Sequence, residues 1–187
     1  ADGVLSLGED IIVRFNEEIQ PNYTYSISVQ GEINGDTLLH NYGLYFDGND
    51  DVVEVNQPMN LSGKSFTVEF WTQRVGNPQE ATLFSHGTAD NRFEIGLTAD
   101  DEMKLVFGKD TIVSAKSIPN IEESWTHLSV VYDAEVQTVS AYVNGNSEGK
   151  TGLISGVSVP VYSSTGNIVI GSDFTKTKNY NGRINEV

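Results

Sequence analysis

The sequence carries two groups of acidic and amide side chains whose chemistry suits a hard cation. Asp47, Asp50 and Asp51 lie together in the segment FDGNDD, while Asp90 and Asn91 are adjacent and Asp173 follows a late apolar run. Calcium in proteins takes roughly six to eight oxygen ligands from carboxylates, carbonyls and water. Both groups are therefore candidate calcium sites, although each is also typical of an ordinary turn whose side chains cap their own backbone.

Aromatic residues provide a second kind of candidate site. An exposed ring can stack on the CH groups of a pyranose while neighbouring polar side chains bind its hydroxyls. We consider Trp71, Tyr162 and Tyr180 as ligand-binding candidates. Trp71 directly follows Phe70, so on a strand it points away from the interior that Phe70 enters. The alternative is that a loop or a neighbouring domain covers these rings.

The acidic residues do not form a recognisable catalytic pair. A retaining glycosidase needs two carboxylates about 5 Å apart, most simply on alternate residues of one strand. Asp100 with Glu102, and Asp133 with Glu135, have this spacing but fall in predicted turns. The three histidines are too scattered for a metal motif, and no Gly-x-Ser-x-Gly segment occurs. We expect no enzyme, with glycan hydrolysis as the weaker alternative.

Composition argues against several partners. The 187 residues include 26 Asp and Glu against 11 Lys and Arg, a formal net charge of −15 that disfavours nucleic acid and anionic membranes. No apolar run approaches the roughly 20 residues that span a bilayer. The absence of cysteine excludes both a disulfide framework and a cysteine zinc site. The start of the chain lacks the features of a signal peptide, which suits either a mature exported fragment or a cytosolic protein.

Short alternating patterns indicate the strands that must position these side chains. Apolar residues recur at every second position in segments such as 66–70, 93–97, 103–107, 128–132, 139–143 and 168–170. Turn signals separate them, among them Asp47-Gly48, Asp100-Asp101, Asn144-Gly145 and Thr165-Gly166. The pattern predicts an all-β fold, a two-sheet antiparallel jelly-roll sandwich.

Residues 1–40 differ from the rest of the chain. Strand-like runs at 11–17 and 25–29 are separated by Pro21, and two strands alone cannot bury a core. We predict a short β appendage, or the remnant of a preceding domain, at 1–40 and the sandwich at 41–187. The strand-like run at 182–187 stops abruptly, so we interpret the chain as a piece of a larger protein.

Seven segments between residues 44 and 187 resemble, in order, the laminin G-like, concanavalin A-like lectin family. They are LYFDGNDDVVEV, SFTVEFWTQR, LFSHG, WTHLSVVYD, AYVNGN, IVIGSD and YNGRINEV. The opening segment VLSLGEDIIVRFNEEIQP is similar to strands of immunoglobulin-like modules in bacterial surface proteins.

The resemblance implies a jelly roll that often holds calcium at its rim or at the chain ends. It would join Asp47, Asp50 and Asp51 to Asn185, which stands where the family usually has Asp. The pentraxin branch of the family uses a loop Asp-Asn pair and an acidic loop after a late strand. By that likeness Asp90, Asn91 and Asp173 would form a second calcium site.

These observations lead to one functional expectation and its rival. We expect a non-catalytic binding or adhesion module of a larger exported protein, located at the cell surface or outside the cell, with calcium as cofactor. Its partner would be a glycan or a cell-surface protein, with no nucleic acid and no membrane span. The rival is a structural spacer that packs on neighbouring domains of the same polypeptide and has no ligand of its own.

Overall fold

The computed structural model describes residues 29–33, 36–40, 43–76, 78–119, 121–122, 124–145 and 154–187. The chain divides into two compact units, residues 1–41 and 42–187. In the first unit, β1 (Val29–Ile33) and β2 (Asp36–His40) pair antiparallel, with Val29 opposite His40. The strand predicted at 11–17 lies outside the described residues, as do residues 25–28 of the next one.

The second unit contains two six-stranded antiparallel sheets. The first sheet has the order β12-β11-β10-β5-β14-β3 and the second has the order β4-β13-β6-β7-β8-β9. The first sheet consists of β3 (Leu44–Asp47), β5 (Phe66–Arg74), β10 (Thr126–Asp133), β11 (Thr138–Val143), β12 (Val157–Ser158) and β14 (Asn181–Asn185). The second consists of β4 (Val53–Asn60), β6 (Ala81–Thr88), β7 (Asn91–Leu97), β8 (Glu102–Phe107), β9 (Asp110–Ser117) and β13 (Thr165–Ile170).

The core lies between the two sheets and follows the predicted alternation. In β10, Leu128, Val130 and Tyr132 are at most 1% exposed, whereas the intervening Ser129 and Val131 are half-buried on the other side. The inward side chains of β7 and β8 are equally buried, and Phe93 and Phe107 pack with ring centroids 4.8 Å apart. The all-β, jelly-roll prediction is confirmed, and no described residue is helical. Accordingly, the described chain contains no helix able to cross a membrane.

One of the predicted turns is wrong. Thr165 and Gly166 lie inside β13, where they pair with Asn60 and Met59 of β4. Asp47-Gly48 turns the chain as predicted but does not join paired strands, because β3 pairs with β14 in the first sheet while β4 belongs to the second. The segment therefore carries the chain from one sheet to the other. Asp100-Asp101 does join the paired strands β7 and β8, as predicted.

Strand β6 departs from simple alternation because both of its sides are covered. Its residues from Ala81 to Gly87 are all buried. The segment 171–180, between β13 and β14, lies against the outward side of this region. The backbone N–H of Thr82 donates to the carbonyl of Lys178 at 2.9 Å, and the ring of Phe174 lies 5.8 Å from the guanidinium carbon of Arg92. Side chains that alternation points to solvent are therefore buried here.

Candidate functional site

The outward side of the first sheet presents aromatic rings among hydrogen-bonding side chains. We call it the aromatic face, and define it by Tyr45, Glu69, Trp71, Gln73, His127, Ser129, Tyr142, Arg183 and Asn185. Its placement follows from period-2 alternation, since Phe70 and Leu128 enter the core and their neighbours must point outward. Trp71 is 37% exposed, as its position after Phe70 predicted. A tryptophan exposed to this extent on a sheet is available for contact with a ligand.

Trp71 lies at the centre of the aromatic face. The register places His127 of β10 on one side of it and Asn185 of β14 on the other. The rings of Trp71 and His127 have centroids 5.2 Å apart, and the imidazole Nε2 lies 3.9 Å from a carboxylate oxygen of Glu69. These groups fix the indole ring while leaving donors and acceptors beside it.

Arg183 connects the part of the aromatic face that is formed by β5, β14 and β3. Its guanidinium donates to the side-chain oxygen of Gln73 at 3.0 Å, and the register places Arg183 between Gln73 on β5 and Tyr45 on β3. Tyr45 is 54% exposed. A hydroxyl-rich ligand that covered the rings would find amide, guanidinium, imidazole and carboxylate groups within reach.

Trp125 is a neighbouring aromatic residue that sequence reasoning did not include. It is 37% exposed, and its Cη2 lies 2.7 Å from the position that a Cβ on Gly43 would take. The ring therefore extends toward the start of β3. The signal was present in the sequence, because Trp125 alternates with His127 and Ser129 and the residues between them enter the core.

Tyr162 and Tyr180, which the sequence predicted as ligand-binding residues, do not present an exposed ring face on which a sugar could stack. They are 3% and 0% exposed. The hydroxyl of Tyr162 lies 2.7 Å from Nδ1 of His86, and burial raises the pKa of Tyr162 to about 12. The hydroxyl of Tyr180 lies 2.7 Å from Oγ1 of Thr72, and burial raises its pKa as well. Both rings are parts of the core.

The acidic turn after β3 brings three carboxylates together. One oxygen from each of Asp47, Asp50 and Asp51 lies within 4.8 Å of the others, and all three residues are exposed. Asp47 accepts hydrogen bonds from the backbone N–H of Asn49 at 2.7 Å and from its side-chain amide at 3.1 Å, and these bonds lower the pKa of Asp47. Asp51 accepts from the N–H of Asp47 at 3.0 Å. The turn is thus ordered by its own carboxylates, which keep further lone pairs for a cation.

The neutral ligand predicted at Asn185 is wrong, because the β14–β3 register places Asn181 opposite Asp47. Asn185 lies four residues further along, roughly 13 Å in an extended strand, and pairs with Trp71. The side-chain oxygen of Asn181 is buried and has no hydrogen-bond partner among the described residues. A buried carbonyl oxygen without a hydrogen-bond partner, on the residue opposite Asp47, fits the ligand preference of calcium.

The second predicted cluster is not assembled. Asp173 accepts from the backbone N–H of Lys178, whose own carbonyl binds Thr82 near the start of β6. Asp90 follows the other end of β6 and pairs with Lys109 at 3.0 Å. Six residues of strand, roughly 20 Å, separate Thr82 from the end of β6. Asp90 and Asn91 instead line a cleft of about 450 Å³ with Tyr162, Ser163 and the 107–110 turn.

Asp173 itself closes a turn. It is 5% exposed and accepts from Oγ1 of Thr175 at 2.5 Å and from the N–H groups of Thr177 and Lys178 at 2.7 and 3.0 Å. Burial raises the pKa of Asp173, but these hydrogen bonds outweigh it and hold the pKa below its ordinary value. The carboxylate therefore shapes the segment that covers β6.

Comparison with known proteins identifies relatives of the fold. The family model described as the concanavalin A-like lectin/glucanases superfamily matches residues 47–187. The carbohydrate-binding module CBM40 of the Ruminococcus gnavus IT-sialidase superposes with a TM-score of 0.57 at 12% identity, covering 76% of this chain and 86% of that one. Domains LG4-5 of mouse laminin alpha1 superpose with a TM-score of 0.57 at 11% identity, covering 80% and 41% of the two chains.

A further neighbour is the heptameric SAP-like pentraxin of Limulus polyphemus, with a TM-score of 0.55 and 15% identity over 76% of this chain and 72% of that one. Sequence comparison with curated proteins gives no significant match. At these identities the structural neighbours establish the shared architecture of the sandwich.

Proposed function

Because the chain belongs to the concanavalin A-like lectin/glucanases superfamily, we propose that it is a non-catalytic binding module that holds a glycan on the aromatic face. The observation that carries the proposal is the exposed Trp71, flanked by His127 and Asn185 on adjacent strands. A sugar needs both an apolar surface for its CH groups and polar partners for its hydroxyls. On the aromatic face an apolar ring and polar side chains lie within one strand spacing of each other.

The structural neighbours support binding of a glycan. The R. gnavus CBM40 has been solved with α2,6-sialyllactose bound, and it superposes on this chain with a TM-score of 0.55 at 13% identity. Laminin G domains share the same architecture. We propose that this chain acts outside the cell, in keeping with the glycan-binding role. A cell-surface glycan or glycoprotein is then the natural partner.

The distribution of carboxylates on the aromatic face supports a non-catalytic role. Glu69 lies two residues from Trp71 on β5, and the register places Asp133 four residues beyond Ser129, the partner of Glu69. That separation is roughly 13 Å along an extended strand. Glycosidases hold their two carboxyl groups about 5 to 10 Å apart. Among the residues that define the aromatic face, Glu69 is the one carboxylate, so the face itself holds no pair of acids.

We include calcium in the proposal, bound by Asp47, Asp50 and Asp51 with the carbonyl oxygen of Asn181. Support comes from the close approach of the carboxylates and from the buried, unpaired oxygen of Asn181. The ion would brace the start of the acidic turn against β14. It would supply charge neutralisation and rigidity rather than a direct ligand contact on Trp71.

A glycan array followed by calorimetry tests the proposal. The wild-type chain and Trp71→Ala are compared, with Val113→Ala as a matched control because Val113 is 44% exposed on β9 of the other sheet. If a sugar covers about 60 Å² of the indole, Trp71→Ala costs about 1.5 kcal/mol, roughly a tenfold loss of affinity. The control keeps wild-type affinity. Undiminished binding by Trp71→Ala refutes the assigned face, and failure of every glycan to bind supports the structural spacer instead.

A further inference from the structure

The strand register places the three tyrosine and tryptophan residues of the aromatic face, Tyr142, Trp71 and Tyr45, on one diagonal of the sheet. Tyr142 of β11 lies opposite Ser129 of β10, which lies opposite Glu69 of β5, so Tyr142 and Glu69 share a row. Trp71 is two residues further along β5. Tyr45 of β3 shares the row of Gln73, again two residues on. From one ring to the next, the line moves two strands across the sheet and two residues along it.

Polar side chains fill the intervals of this diagonal. Between Tyr142 and Trp71 lies β10, which presents Ser129 and His127. Between Trp71 and Tyr45 lies β14, which presents Asn185 and Arg183. Aromatic strands therefore alternate with polar ones. Such a repeat suits a ligand that itself repeats, with an apolar patch at each ring and hydroxyl groups between them.

The distance between successive rings and the total length of the diagonal indicate how many sugar units the face can hold. With strands about 4.8 Å apart and a rise of about 3.4 Å per residue, successive rings are anchored about 12 Å apart. Alternate units of an extended β-1,4-linked pyranose chain present the same face at a comparable interval. The whole line, about 24 Å by the same geometry, matches roughly five sugar units. A single terminal sugar would contact one ring of the three.

Charge favours a neutral chain over an acidic one. The protein carries a formal charge of −15, which repels polyanions at long range. On the aromatic face Arg183 is held by the neutral Gln73 at 3.0 Å, while His127 lies beside Glu69. One guanidinium and one carboxylate leave no concentration of positive charge for uronate or sialate groups.

We propose that the aromatic face binds an extended, neutral, β-linked polysaccharide along the line from Tyr142 through Trp71 to Tyr45, engaging several consecutive sugars at once. This inference rests on the proposed glycan-binding function. It adds the ligand class and the direction in which the chain lies, which is diagonal to the strands. It differs from recognition of a terminal sugar, which would use one ring and its immediate neighbours.

The test is affinity as a function of chain length. Calorimetry with neutral cello-, manno-, xylo- and chito-oligosaccharides of two and six units is compared for the wild type, Trp71→Ala, Tyr45→Ala and Tyr142→Ala. Val136→Ala, 62% exposed in the β10–β11 turn, is the matched control. We expect one series to bind at least tenfold tighter as the hexasaccharide than as the disaccharide. Tyr45→Ala and Tyr142→Ala should each weaken the hexasaccharide roughly threefold to tenfold and leave the disaccharide unchanged.

The outcomes separate this inference from the function on which it rests. Equal affinity for two and six units, with loss of both in Trp71→Ala, overturns the extended chain and leaves glycan binding on Trp71 intact. Tighter binding of polygalacturonate or sialyllactose, weakened by salt, overturns the preference for a neutral ligand. Absence of binding by every oligosaccharide overturns both. Melting curves verify that each variant is folded.

Discussion

Replacing Tyr162 with phenylalanine distinguishes a core residue from a ligand-binding one. The hydroxyl of Tyr162 lies 2.7 Å from Nδ1 and 3.0 Å from the carbonyl oxygen of His86. The other ring nitrogen of His86, Nε2, lies 2.8 Å from the carbonyl of Met59, so it must be the one that carries the proton. Nδ1 of the neutral imidazole is then an acceptor, and the tyrosine hydroxyl is the donor that faces both Nδ1 and the carbonyl oxygen of His86.

The structure sets the expected cost of Tyr162→Phe. His86 is 0% exposed, so Nδ1 cannot exchange its lost partner for bulk water. Leaving a buried acceptor unpaired costs about 1–3 kcal/mol. For a chain of this size each kcal/mol lowers the melting temperature by roughly 2–4 °C, so we expect a decrease of about 2–12 °C. The ring remains in place, because its contacts with Phe66, Phe93 and Phe107 do not involve the hydroxyl.

Thermal and urea denaturation measure this loss, and glycan calorimetry provides the second readout. For denaturation alone, Tyr142→Phe is the matched control, because Tyr142 is half-buried on the outward side of β11. Tyr162→Phe should lose stability and keep wild-type glycan affinity. An unchanged melting temperature combined with weakened glycan binding would show that Tyr162 contacts the ligand and does not stabilise the core.

Three further predictions concern buried groups. Burial raises the pKa of Glu94, which is 4% exposed, so its contribution to stability is lost as pH rises through the folded pKa. Glu94→Gln should therefore raise the free energy of unfolding at pH 7 by up to about 1 kcal/mol, fading near pH 4, because Arg92 remains partly solvated. Burial lowers the pKa of His86, so wild-type stability should fall as pH decreases below about 6.5, measured by urea titration at several pH values. Gly87→Ala should cost more than about 2 kcal/mol, because φ is +85° and the new Cβ would overlap the carbonyl oxygen of Asn91. A melting temperature equal to wild type would contradict that geometry.

Local periodicity predicted the strands and the direction in which their side chains point. Which residues of different strands lie next to each other depends on long-range pairing, which the sequence pattern does not specify. The outward position of Trp71 follows from its neighbour Phe70, whereas Tyr162 and Tyr180 lie outside the strands, where alternation carries no information. The choice between Asn181 and Asn185 as the partner of Asp47 depends on the β14–β3 register. No pattern within either segment specifies a register between strands so far apart in sequence.

The same limit explains the other misplaced candidates. Asp90 and Asp173 flank apolar runs that the sequence shows clearly, but β13 pairs antiparallel with β6, which sends the chain after Ile170 toward the beginning of β6. Glu94 alternates with core residues along β7, and this pattern predicts that its side chain faces solvent. It is buried because segment 171–180 folds over its strand, and coverage of that kind is a tertiary property.

Strand β3 connects the proposed calcium site with the proposed glycan site. It has four residues, lies at the edge of the first sheet and pairs with β14 alone among the described strands. Asp47 is its last residue, and Tyr45, the last ring of the aromatic diagonal, is two residues before it. An ion held by Asp47, Asp50 and Asn181 would fix β3 on β14 and thereby position Tyr45.

Calcium should therefore increase the affinity for long glycans and leave the affinity for short ones unchanged. Binding to the native state alone stabilises by about 2.7 kcal/mol at a hundredfold excess over Kd, a rise of roughly 5–11 °C in melting temperature. Asp50→Asn should remove most of this rise, because Asp50 contributes a carboxylate but no side-chain hydrogen bond to the described turn. Asp110→Asn, which alters an exposed residue on β9, is the control.

Chelation should weaken hexasaccharide binding as Tyr45→Ala does and leave disaccharide binding on Trp71 unchanged. A chelator that weakens both ligands equally would place the ion at Trp71 itself, and one that changes neither affinity nor melting temperature would remove calcium from the site.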